Sequence, residues 1–214
     1  MERDVQPRPH RPTGASLIAL VAIAVTVVGI AVLHAVRTDL DWREAVMSTY
    51  ANGPAGDVMS VVFYAFGVIA LALAVRLRTA VGRHGITSVF PWLMVLAGAG
   101  SILAGMFEVD PGILPSTTAE VIHSTSAIAA FVLLVAAMSL FTLATRGDHR
   151  WDRFRRPSAA LSVLAAAAAG TTQLVDHTAW TGAAQRVLAG AVLAWFLLVA
   201  LYVRTKRFAA GGAS

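Results

Sequence analysis

Long apolar runs separated by short polar stretches dominate the chain. Six of them approach the ~20 residues that a helix needs to cross a hydrocarbon core. They lie at roughly 15–36, 58–75, 89–107, 121–145, 157–175 and 183–203. The pattern predicts an all-α fold, a polytopic membrane bundle of six transmembrane helices. One domain spans 15–205, between tails at 1–14 and 206–214. There is no internal repeat, and the linkers are short. The first run is too long for the apolar core of a signal peptide, and "HAVRTD" is a poor cleavage site. The fifth, "PSAALSVLAAAAAGTTQLV", is the weakest. Its alanines and threonines favour insertion little, so it is expected inside the bundle, away from lipid.

Smaller patterns predict packing. Ala97, Ser101 and Gly105 recur every four residues, a small-residue stripe that lets a neighbouring backbone approach. Trp42 and Trp180 are expected as interfacial anchors at one boundary, Trp92 and Trp151 at the other. The run "DLDWREAVMSTY" places Leu40, Trp42, Val46 and Tyr50 on one stripe, which predicts a short helix lying on the surface.

Composition agrees with a membrane protein. Hydrophobic residues make up 57% and charged residues 14%, with a mean hydropathy of +0.69, against about 25% charge in soluble domains. The absence of cysteine excludes disulfides, thiolate metal sites and cysteine nucleophiles. A net charge of +5 is explained by loop arginines, so no nucleic-acid partner is expected. Of the 17 Lys and Arg, only Arg37, Arg43 and Arg186 fall in one set of alternate loops; the other 14 lie in the tails and the remaining loops. The positive-inside rule then places both termini in the cytoplasm of a multi-pass cell-membrane protein. The arginine-rich "RGDHRWDRFRRPS" reads as a topology determinant facing anionic lipid.

The acids show the opposite bias. Asp39, Asp41, Glu44, Asp57, Glu108, Asp110, Glu120 and Asp176 fall at the predicted outer face, with His34, His123 and His177. Three patches there carry candidate chemistry. Glu120 and His123, three apart, share a helix face near Asp110. They form either a carboxylate–imidazole pair for proton transfer or metal binding, or a capped turn with a histidine bonded inside the bundle. In "TTQLVDHTAW", Thr172 and Asp176, and Gln173 and His177, form two polar stripes. Such groups mark a cavity if they lie at membrane depth, and nothing if they lie in an aqueous loop. Gln185 and Arg186 open the last helix. Arg186 either pairs with an acid, Asp176 or Asp110, or grips a phosphate or carboxylate headgroup.

The metalloprotease, phosphate-loop and serine-hydrolase motifs are absent. A metal site on His34, His123 and His177 is open, but no spacing demands one. No cofactor follows from the sequence.

The chain resembles the six-helix prokaryotic membrane proteins grouped as domain of unknown function 998, over about 15–205. The resemblance rests on Ser48 and Tyr50 followed by "NGPAGDVM", then Phe63 and Gly67, the glycines of "AGAGSILAGMF", Asp110-Pro111, His123 and "GAAQR" with Gln185 and Arg186. Family members usually read Phe-Pro where this chain has Phe107-Glu108. They usually carry His-Gly where it has Ala119-Glu120, so a histidine pair would need Glu120 as substitute. The resemblance implies a fold and no activity.

Candidate ligand-binding residues are therefore Asp110, His123, Gln185, Arg186, His177 and Tyr50; candidate acids or bases are Asp110, Glu120 and Asp176. Two classes of function fit. One is a site for a lipid, isoprenoid or other amphipathic molecule, as a binding site or as a membrane enzyme using carboxylate chemistry. The other is an accessory subunit or small carrier held among membrane lipids, in which an oligomer is compatible. The apolar inner halves of the helices speak against a carrier.

Overall fold

A computed structural model describes residues 14–81, 88–110, 117–174 and 180–205. Every regular element among them is helical. The six long helices are α1 (Gly14–Val36), α2 (Asp57–Ala80), α3 (Phe90–Met106), α4 (Thr118–Ala144), α5 (Asp152–Leu174) and α6 (Thr181–Thr205). Local chemistry sets several starts. Asp57 stands in the first turn of α2, where a carboxylate favours the helix dipole. Pro91 occupies the first turn of α3, where its missing N–H costs nothing. Thr117 caps α4, its hydroxyl accepting from the Glu120 N–H.

All six apolar runs thus fold as helices. Four are long and apolar enough to cross a membrane: Gly14–Val36, Asp57–Ala80, Thr118–Ala144 and Thr181–Arg204. The apolar α3 has 17 residues, about 25 Å of rise. The polar opening of α5, "DRFRRPS", lowers its hydropathy.

α2 packs against α1, α3 and α6. Its contact with α3 is close because Gly67 and Gly98 face each other. A Cβ on Gly67 would stand 2.7 Å from the Gly98 carbonyl oxygen. The predicted stripe also sits here, with Ala97, Ser101 and Gly105 all buried. Ser101 Oγ donates to the Phe63 carbonyl at 2.9 Å, and Tyr64 OH donates to that of Gly105 at 3.0 Å.

Three expectations change. α5 is not enclosed. It packs on α4 and α6 through Ser158, Ser162, Ala165 and Ala168, while Val163 and Leu164 are exposed. Small residues lower its hydropathy, but their period buries only one face. Trp151 is not an interfacial anchor; it is fully buried. It stacks on Tyr202 at 5.0 Å and meets Phe141 and Phe154 edge-on, in an aromatic cluster that includes Trp195. Trp42, Trp92 and Trp180 are exposed. Finally, "DLDWREAVMSTY" is not one amphipathic helix. Asp41 accepts from the Arg43 N–H and closes a turn, and a 3₁₀ turn follows at Met47–Ala51. Trp42 therefore faces out while Tyr50 is buried.

The end expected to face the cytoplasm is less purely apolar than its sequence suggests. Thr142 and Ser158 hydroxyls bond at 2.7 Å, and Trp195 Nε1 donates to Ser158 Oγ at 2.8 Å. This network is closed on itself and on helix carbonyls, with Ser162 donating to the Ser158 carbonyl.

Candidate functional site

The end expected to face outward carries two polar clusters. The first surrounds Arg186, in the second turn of α6. Its fork offers five N–H donors. Nε donates to His34 Nε2 at 2.9 Å, Nη1 to the Ala45 and Gly182 carbonyls at 2.8 and 2.9 Å, and Nη2 to Tyr50 OH at 2.7 Å. The guanidinium also stands 5.3 Å from the Tyr50 ring centre. These contacts fix the His34 tautomer. Its Nδ1 lies 2.8 Å from the Ile30 carbonyl, which can only accept, so Nδ1 carries the proton and Nε2 is bare. His34 is a neutral acceptor for a cation.

Of the two acids expected to pair with Arg186, Asp110 does not. Asp110 is engaged elsewhere, and among the described residues no carboxylate forms an ion pair with Arg186. Asp176 and His177 lie outside the described residues, as does the side chain of Gln173.

Arg37, which the sequence reading passed over, holds the segment that Arg186 grips. Its guanidinium is buried and binds both oxygens of Asp39, at 2.9 and 2.8 Å. It also donates to the Tyr50 carbonyl at 3.1 Å. The hydrogen bonds from Arg37 hold the Asp39 carboxyl below the ordinary carboxylate range. Glycine makes the close approach feasible, since a Cβ on Gly53 would meet the Arg37 guanidinium at 3.0 Å. Gly182 likewise lies under this segment, 2.4 Å from the Ala45 carbonyl oxygen to an added Cβ. The only cue in sequence was the Arg-Thr-Asp spacing just past α1.

The second cluster joins the end of α3 to the start of α4. Asp110 accepts from the Thr117 N–H and hydroxyl, both at 2.9 Å, while its own N–H donates to Glu120 Oε2 at 2.8 Å. His123 is buried, with Nδ1 donating to the Ala104 carbonyl at 2.8 Å and its ring edge-on to Phe63. Asp110, Glu120 and His123 therefore act locally as a clasp. Among the described residues no group of three or more His, Asp or Glu is placed to hold a metal ion.

Between the clusters lies a cavity of about 50 Å³. Its walls come from α1 (Ile30), the 3₁₀ turn (Met47, Ser48), α2 (Phe63, Phe66), α3 (Ser101), α4 (Ala127, Phe131) and α6 (Gln185, Ala189). Gln185 ties the wall to the first cluster, its Oε1 accepting the Met47 N–H at 2.5 Å. Phe63 ties it to the second, through His123.

Several of the residues behind the resemblance noted in sequence meet here. Ser48, Phe63 and Gln185 line the cavity, and Tyr50 and Arg186 bond beside it. The sequence model of the family described as Protein of unknown function (DUF998) matches residues 20–202. The chain belongs to this family. No curated protein and no solved structure matches it. The DUF998 match spans α2 to α5 entire and most of α1 and α6, so both clusters and the cavity fall within it.

Proposed function

We propose that this DUF998 protein is a six-span protein of the cell membrane, with cytoplasmic termini, that binds a lipid or another amphipathic small molecule from the outer face. The observation that carries the reading is the cavity itself. It is apolar along most of its wall and bordered by Gln185 and Ser48 at the end where the acids and histidines gather. Pockets for small molecules combine apolar walls with a few placed polar groups in this way. The excess of arginine in the opposite loops supports the orientation. Arg186 and Arg37 enter as the frame that holds Met47 and Ser48 against the cavity. Asp110 and Glu120 enter as the clasp that sets α4, and no acid–base step is assigned to them.

The test is native mass spectrometry of protein extracted in mild detergent. Wild type should carry a bound amphiphile, and Ala127→Phe, which fills the cavity from α4, should lose it while remaining folded. Equal occupancy of the two proteins would sink the reading.

A further inference from the structure

The cavity wall contains two hydrogen-bonding groups that the fold leaves unused. Gln185 is held by the Met47 N–H, which can only donate, so its oxygen is the bonded atom and its amide NH₂ is the free end. That NH₂ bonds to no described residue, although Gln185 lines the cavity. Ser48 lines the same wall one residue past Met47, and its hydroxyl is likewise without a partner among the described residues. A third group, Ser101, is spent on the Phe63 carbonyl.

The described wall carries no charge. None of the described residues lining the cavity is ionisable. Two arginines that hold the adjoining segment are directed elsewhere. Arg37 is neutralised by Asp39, and Arg186 spends four of its five donors on His34, Ala45, Gly182 and Tyr50. An anionic head in this wall would lose its water without meeting a facing cation among the described residues, which disfavours it. An uncharged ester, amide or hydroxyl head would accept from the Gln185 NH₂ and exchange a bond with Ser48 at little desolvation cost.

We infer that the site takes an amphiphile with an uncharged, hydrogen-bond-accepting head, read by the Gln185 amide and the Ser48 hydroxyl. This rests on the binding reading above and adds the class of ligand.

The experiment titrates full-length protein in detergent with three probes sharing one oleoyl chain: monoolein, oleate at pH 8, and oleoyl lysophosphatidate. Monoolein should bind about tenfold or more tighter than either anion. Gln185→Glu keeps an acceptor for the Met47 N–H, removes both free donors and adds a charge, so it should weaken monoolein by at least about tenfold. Ser48→Ala should weaken it less. Should Gln185→Glu misfold, the ranking of probes on wild type still decides. Anions binding as tightly as monoolein, or tighter, would overturn the inference and place the head on the remaining N–H of Arg186, leaving the binding reading intact. No binding of any probe, with Ala127→Phe indistinguishable from wild type, would overturn both.

Discussion

Arg186 donates to the bare Nε2 of His34 at 2.9 Å, so a cation on α6 is held by a neutral ring on α1. The bond depends on His34 presenting a lone pair, and the Ile30 carbonyl enforces that by taking the Nδ1 proton. One side chain thereby joins the first helix, the following loop and the last helix.

Arg186→Lys should be poorly tolerated. An ammonium cannot reach acceptors spread around a planar fork, and each hydrogen bond to a charged group contributes about 1.5–3 kcal/mol. We expect a loss of about 2–3 kcal/mol in detergent unfolding. A double-mutant cycle with His34→Ala should give about 1 kcal/mol or more of coupling. Additive effects would show that the bond carries no energy.

Asp39 should make the loop sensitive to acid. Hydrogen bonds from Arg37 depress its folded pKa below the ordinary value of 3.8. The contribution is therefore complete above the unfolded value and lost as pH falls through the depressed folded one. Hydrogen exchange at the Met47–Ala51 amides should accelerate in that acid range in wild type. In Asp39→Asn it should be fast already at neutral pH and lack this acid dependence. Identical pH profiles would remove Asp39 from the frame.

Two glycines should respond oppositely. Gly67→Ala places a Cβ 2.6 Å from Ile102 Cγ1 and 2.7 Å from the Gly98 oxygen. Forcing α2 from α3 should cost about 1–3 kcal/mol. Gly190, in α6, has nothing within 4 Å of an added Cβ. Gly190→Ala should be neutral or stabilising, by up to about 1 kcal/mol. Melting temperatures in one detergent compare them directly.

Thr117→Ala removes both the cap of α4 and a donor to Asp110. A loss of about 1–2 kcal/mol is expected, with faster exchange in the first turn of α4. Unchanged exchange there would mean that the Glu120–Asp110 bond suffices alone.

Topology is testable at single cysteines, since the chain has none of its own. Glu44→Cys and His149→Cys both stand at exposed positions. An impermeant maleimide on intact cells should label the first and spare the second. Labelling of His149→Cys from outside would reverse the proposed orientation.

The sequence by itself determined where the chain is helical. Each apolar run is a local sum, long enough that a hydrogen-bonded helix satisfies its backbone wherever it is buried. The observed helices depart from the expected runs by no more than about five residues, the largest shifts being the longer end of α2 and the earlier start of α5. The Ala97–Ser101–Gly105 stripe was legible for the same reason, because a four-residue period lies on one helix face whatever the partner.

Only tertiary structure decided which polar groups meet. His34 and Arg186 are 152 residues apart, and their contact depends on how α1 and α6 are rotated and where the loop between Arg37 and Ala51 lies. Trp151 and α5 failed as local readings on the same ground. A tryptophan near a helix end is an anchor or a core residue according to its neighbours, and an alanine-rich face is enclosed or exposed according to how many helices surround it. Hydropathy marks which segments become apolar helices; the rotation of each helix about its axis, set by packing, determines what it touches.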